Sequence, residues 1–183
     1  MRLFTALDLA PEVLTNLERL LAKLKPAAPI KWSPPKNLHI TTKFIGEWPG
    51  ERLEELKAAL RNLPAQAPIS ITIAKLGFFP NPHAARVFWA GVQAGDALPA
   101  LARATDDATA TLGVAKESRP YSPHLTLARI ASPGRLPGLL KAIAALPSLE
   151  FGAFTAARFY LYQSQTSPAG SVYTKLAEFP LAK

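Results

Sequence analysis

The apolar positions of this chain switch between two spacings, and each switch marks a boundary between strand and helix. Arg2 to Leu9 reads as a strand, and Pro11 opens a helix at its first turn, where proline is tolerated. Val13, Leu14, Leu17, Leu20, Leu21 and Leu24 recur at steps of three and four, an amphipathic stripe that Pro26 and Pro29 end. A loop over Lys31 to Asn37 leads into a strand from Leu38 to Ile45. A turn at Gly46 to Gly50, a helix from Glu51 to Leu63, a linker from Pro64 to Pro68 and a strand from Ile69 to Phe79 follow. After the turn Pro80-Asn81-Pro82-His83 the order begins again. Arg86 to Val92 is a strand, and Asp96 to Leu112 a helix with Asp96 as its cap. Ser118 to Pro123 is a proline-rich loop, and His124 to Ile130 a strand. Leu136 to Leu146 is a helix, Glu150 to Gln163 a strand, and Ser171 to Phe179 a last strand after the turn Pro168-Ala169-Gly170.

The two series match without a gap at a shift of 85 residues. That shift sets Leu3–Leu7 on Phe88–Val92, His39 on His124, and Ile69–Ile73 on Phe154–Arg158. Each half, about 1–80 and 85–183, reads strand, helix, strand, helix, strand. An internal duplication of this kind predicts two similar α+β lobes related by a pseudo-two-fold axis. The fold class is therefore α+β: a single duplicated, bilobal domain with two antiparallel sheets, flanking helices and a central cleft.

Composition narrows the chemistry. The chain has 183 residues, a net charge of +8, three histidines and no cysteine. Disulfides, thiol nucleophiles and cysteine metal sites are excluded, and so few histidines without an acidic cluster argue against zinc. The basic balance favours a polyanionic partner, nucleic acid above all. The opening Met1–Asp8 does not read as a signal peptide, and no apolar run is long enough to span a membrane. The cytoplasm is the expected location.

Two of the three histidines fall in the same pattern, His39-Ile40-Thr41-Thr42 and His124-Leu125-Thr126-Leu127. On a strand, residues two apart share a face, so each copy presents an imidazole beside a hydroxyl while Ile40, Leu125 and Leu127 anchor the other face. One isolated histidine on a strand is usually structural; repetition of the whole unit in register turns the balance. Two imidazoles across a cleft can divide labour as acid and base. The Thr41 and Thr126 hydroxyls can donate to phosphate oxygens between them. This equipment suits the opening of a strained cyclic phosphodiester and calls for no cofactor and no metal. Strict alternation puts Lys43 on the face of His39 and Thr41, as an RNA contact or a solvated rim charge. The same alternation puts Arg129, a candidate phosphate ligand, on the face opposite His124, unless a bulge or strand end turns it inward. Phe44 and Tyr121 flank the motifs and are candidates to stack on a base or to fill the core. His83 reads as a surface residue.

The motifs and their surroundings resemble the two-histidine (2H) phosphoesterases, in particular the bacterial and archaeal RNA 2′,3′-cyclic phosphodiesterases, also called RNA 2′-5′ ligases. The similarity extends through Phe4, Ala6 and Asp8, Asn37–Glu47, Arg86–Val92, Pro120–Arg129 and Leu161–Leu181, essentially the whole chain. Thr42 and Ile45 stand where leucines are commoner. The resemblance implies hydrolysis of RNA ending in a 2′,3′-cyclic phosphate to a 2′-phosphate; the expected enzyme is a monomer with tRNA fragments among its substrates. His39 is then the acid that protonates the leaving 3′ oxygen, and His124 the base for water. It also implies ATP-independent 2′-5′ ligation in the same cleft. A 2′-5′ oligonucleotide phosphodiesterase and a non-catalytic RNA-binding module are the rival readings.

Overall fold

A computed structural model describes residues 1–134 and 136–181. Lys183, where the second expected half ends, lies outside the described residues. In chain order the elements are β1 (Arg2–Leu7), α1 (Pro11–Leu24), β2 (Lys31–Trp32), β3 (Ile40–Glu47), α2 (Leu53–Arg61), β4 (Ile69–Phe79) and β5 (Ala85–Gln93). They continue with α3 (Ala97–Ala110), β6 (His124–Gly134), α4 (Pro137–Ala144), β7 (Glu150–Ala156), β8 (Arg158–Ser167) and β9 (Gly170–Pro180).

The strands form two sheets, ordered β3-β1-β8-β9 and β2-β6-β5-β4-β7, with antiparallel pairing throughout. The inner orders β3-β1-β8 and β6-β5-β4 correspond under the 85-residue shift, but each half has sent its third strand into the sheet of the other. β4 pairs with β5, and β8 pairs with β1, with Arg2 opposite Ser164. Helices are exchanged too: α1 packs on β7 and α4, while α3 packs on β3 and α2. Each sheet is thus covered by one helix from each half. A single apolar cluster takes in Leu3, Leu7 and Ile40 from one sheet and Ile71, Phe88 and Leu125 from the other.

Several boundaries differ from the periodicity, each for a local reason. The expected strand over Glu150 to Gln163 breaks at Ala157, where the chain leaves one sheet for the other. The expected loop over Lys31 to Asn37 contains a two-residue strand and a 3-10 turn at Pro35–Asn37. The second helix begins as a 3-10 turn, Gly50–Arg52, before α2 proper. Asp96 is already in helical conformation and makes no side-chain cap, so the expected cap is absent.

Candidate active site

His39 immediately precedes β3 and His124 opens β6, so both rings stand at the starts of equivalent strands. The Nδ1 of His39 lies 2.7 Å from the carbonyl of Asn37, and the Nδ1 of His124 lies 2.9 Å from the carbonyl of Ser122. A carbonyl only accepts, so Nδ1 carries the proton in both rings and Nε2 is left to work. In the first motif Nε2 lies 3.0 Å from the Thr41 hydroxyl. Phe4 and Tyr173 hold the His39 ring, with centroids 4.9 and 5.2 Å away, and Phe79 stands edge-on to His124 at 5.1 Å.

Two bulges decide which neighbours share this face. In the β1–β3 ladder Ala6 faces Thr41 and Thr5 faces Lys43, so Thr42 is the extra residue and Thr41 and Lys43 point to opposite faces. Lys43 is turned inward and 3% exposed. Its Nζ lies 2.8 Å from Asp106 and 3.2 Å from Glu117, and donates to the Ala115 carbonyl at 2.9 Å. The parity that placed Lys43 on the catalytic face is thereby corrected. The bulge brings Phe44 to that face instead, opposite Phe4 and 63% exposed. In β6, Trp89 faces Thr126 and Phe88 faces Ala128, so Leu127 bulges at the position equivalent to Thr42. Arg129 is thereby turned to the face of His124 and Thr126, contrary to strict alternation, and is exposed there.

The loops before the two motifs clasp each other's strands. The Tyr121 hydroxyl donates to the Thr41 carbonyl at 2.7 Å, and the Ser33 hydroxyl donates to the Thr126 carbonyl at 3.2 Å. The Ser33 amide adds a bond to the Leu127 carbonyl at 2.8 Å. Burial pushes the Tyr121 phenol far up, so it stays a donor. Its ring packs against the core as a strut between the motifs. His83, in the β4–β5 turn, is exposed, with its amide bonded to the side chain of Asn81.

Burial lowers the His39 pKa; the Asn37 carbonyl and Asp8 oppose this, while the charges of Arg129 and His124 lower it further. Those influences put Arg129 and His124 within electrostatic reach of His39. Asp8, at the end of β1, accepts the Tyr162 hydroxyl and pairs with Lys175. A cavity of about 490 Å³ opens beside His39, lined by Asp8, Lys36, Asn37, Tyr162, Tyr173 and Lys175. Asp8, Asn37, Ser33 and Tyr173 were given no role from the sequence alone. The signal for Ser33 was its match to Ser118 under the 85-residue shift. Tyr173 lies in the C-terminal stretch of the family resemblance, but it reaches His39 only through the β8–β9 hairpin. Among the described residues no group of three acidic or histidine side chains gathers as metal ligands would. None of the helices described is long and apolar enough to cross a membrane.

The chain is 34% identical over 182 residues to the RNA 2′,3′-cyclic phosphodiesterase of Methanothermobacter thermautotrophicus, covering 98% of both proteins. Its fold matches the crystal structure of TT0787 of Thermus thermophilus with a TM-score of 0.84 at 31% identity, over 99% of this chain and 98% of that one. It also matches Escherichia coli LigT complexed with 3′-AMP, with a TM-score of 0.81 at 26% identity, over 100% of this chain and 98% of that one. The model of the LigT-like phosphoesterases matches separately over residues 7–89 and 92–173, one match per half. With both halves accounted for, the chain belongs to the LigT-like phosphoesterase family.

Proposed function

We propose that this protein hydrolyses RNA ends carrying a 2′,3′-cyclic phosphate, opening the ring to a 2′-phosphate by metal-independent acid–base catalysis between His39 and His124. The carrying observation is the matched orientation of the two rings. Each has Nδ1–H tied to the carbonyl two residues before it, which leaves Nε2 available at the start of equivalent strands. Relatives that are RNA 2′,3′-cyclic phosphodiesterases, at 34% identity over nearly the whole chain, support the substrate class.

In the proposed reaction His124 Nε2 takes a proton from water as it attacks phosphorus opposite the 3′ oxygen. The P–O3′ bond breaks, and His39 Nε2–H gives its proton to that oxygen. Thr41 and Thr126 donate to the non-bridging oxygens, and Arg129 offsets their charge. The burial that lowers the His39 pKa makes its imidazolium a readier proton donor. A bound phosphate offsets the Arg129 charge that otherwise opposes protonation of His39. Phe44, exposed on the same face, offers a ring for the terminal base. A ribose 5′-hydroxyl in place of water, with His124 again the base and His39 again the acid for the leaving 3′ oxygen, gives a 2′-5′ linkage without ATP. The enzyme is proposed to act as a monomer in the cytoplasm, on tRNA fragments among other RNA ends.

The test is incubation with RNA ending in a 2′,3′-cyclic phosphate, with and without a chelator, and determination of the phosphate position in the product. A 2′-phosphate formed at undiminished rate in chelator is expected, with a bell-shaped pH profile whose limbs belong to the histidine pair. His39→Ala and His124→Ala should each cost about 10²–10⁴-fold. A cyclic substrate with sulfur at the 3′ position assigns the roles, because a thiolate leaves without a proton. His39→Ala should lose far less on it than on the oxygen substrate, and His124→Ala equally on both. A wild type that binds such RNA but leaves it intact would instead identify a binding module.

A further inference from the structure

Lys31 and Arg129 face each other directly across the β2–β6 ladder. Both are exposed, and neither has an acidic partner among the described residues. Like charges in directly opposed cross-strand positions repel each other. The surrounding structure nevertheless holds this pair in register. Trp32, the other residue of β2, lies opposite Ala128, packs edge-on against Phe88 at 5.9 Å, and donates its indole N–H to the Ala28 carbonyl at 3.0 Å. Ser33 then fastens the strand to the Thr126 and Leu127 carbonyls. The Leu127 bulge that turns Arg129 to the face of His124 and Thr126 carries Lys31 to that face with it, one strand beyond the strand of His124. A two-residue strand anchored on one side by a tryptophan and on the other by a motif carbonyl therefore displays one unpaired lysine beside one unpaired arginine. An anion between them would relieve their repulsion.

We propose that Lys31, beside Arg129, holds the phosphodiester immediately upstream of the terminal nucleotide, so that the site selects RNA chains over cyclic mononucleotides. This rests on the reading of the cleft as the site for a terminal cyclic phosphate. The terminal phosphate sits between the two histidines, and the next phosphate of the same strand lies along the β6 edge. A mononucleotide has nothing to place there.

Binding of two product-like probes tests this without turnover: a nucleoside 2′-phosphate, and a dinucleotide whose last residue carries a 2′-phosphate. The wild type should bind the dinucleotide more tightly. Lys31→Ala should weaken the dinucleotide about tenfold at low salt, change the mononucleotide by less than about twofold, and reduce the slope of log affinity against log salt by about 0.7. Lys31→Arg should keep most of the preference. Equal wild-type affinities for the two probes, or a Lys31→Ala variant that weakens both alike, would overturn the upstream site. The hydrolysis assay on the same wild-type protein is scored separately: loss of the dinucleotide preference with hydrolysis intact rejects the second anion site alone. An inert wild type rejects the catalytic reading alone.

Discussion

The two motif strands share one backbone plan and carry different side chains on it. β3 and β6 bulge at equivalent residues, Thr42 and Leu127, and each gives its motif threonine's carbonyl to a hydroxyl from the opposite leading loop. At the bulges the halves diverge. Thr42 and Thr5 share a buried hydroxyl–hydroxyl bond of 2.7 Å, where the second half has Leu127 and Ala90. Lys43 is a buried cation where the second half has Ala128. Phe44 stands exposed where the second half has Arg129. The two strands share what places the histidines, and they differ in that one carries an apolar ring and the other a cation. On the proposed function, a substrate with a flat base at one end and a charge at the other would meet both.

The strongest way to break the comparison is to make Lys43 resemble its counterpart. Lys43→Ala leaves the partly buried Asp106 without its cation, while Glu117 stays in solvent, and should destabilise the fold by about 2–3 kcal/mol. Denaturant unfolding checks this; a loss below about 1 kcal/mol, the size typical of surface pairs, would reject the buried role. Burial raises the Asp106 pKa, but bonding to Lys43 and to the Glu117 amide outweighs it and holds the carboxyl below its ordinary range. The stability from this link is therefore present above the ordinary carboxylate pKa and is lost as pH falls through the lowered Asp106 value. The variant should lack most of that acid sensitivity.

A smaller effect separates Phe44 from Arg129. Phe44→Ala should weaken binding by about 1–3 kcal/mol, a stacking contribution that appears mainly in KM. Arg129→Ala should act through kcat as well, because charge develops on phosphate in the transition state. Similar kcat/KM splits for the two variants would mean that the halves have not specialised. The smallest expected effect is on the titration of His39, followed by NMR. Asp8 raises the His39 pKa and Arg129 lowers it, so Asp8→Asn should shift the titration down and Arg129→Gln should shift it up. Shifts of the same sign would contradict this arrangement.

What the sequence made legible follows the range over which its signals act. The amphipathic stripe of α1 and the 85-residue repeat are local or self-comparing patterns, and they yield the element order and the two His-x-Thr units. Parity failed at Lys43 and Arg129 for a single reason: a bulge adds one residue to a strand without changing its composition, and every position beyond it changes face. β2 escaped notice because two residues among prolines have no period of their own. The exchange of β4 and β8 was invisible because the same alternation suits a strand in either sheet. Tyr121 was ambiguous because an aromatic beside a motif serves equally well as platform or strut, and only the Thr41 carbonyl decides between them.

The exchanged third strands also constrain how the protein is made. β1 precedes β8 by about 150 residues of chain yet pairs with it, as well as with β3, and Arg2 lies opposite Ser164. The first sheet therefore cannot close until β8 has been synthesised, and contacts so distant in sequence slow folding. A truncated chain ending at the β4–β5 turn would leave one edge of β1 without β8 and both edges of β4 without β5 and β7. A second copy of such a half could supply β4 to that edge of β1 and β1 to one edge of β4. A self-complementary half-length ancestor, later joined end to end, is the simplest history consistent with this topology.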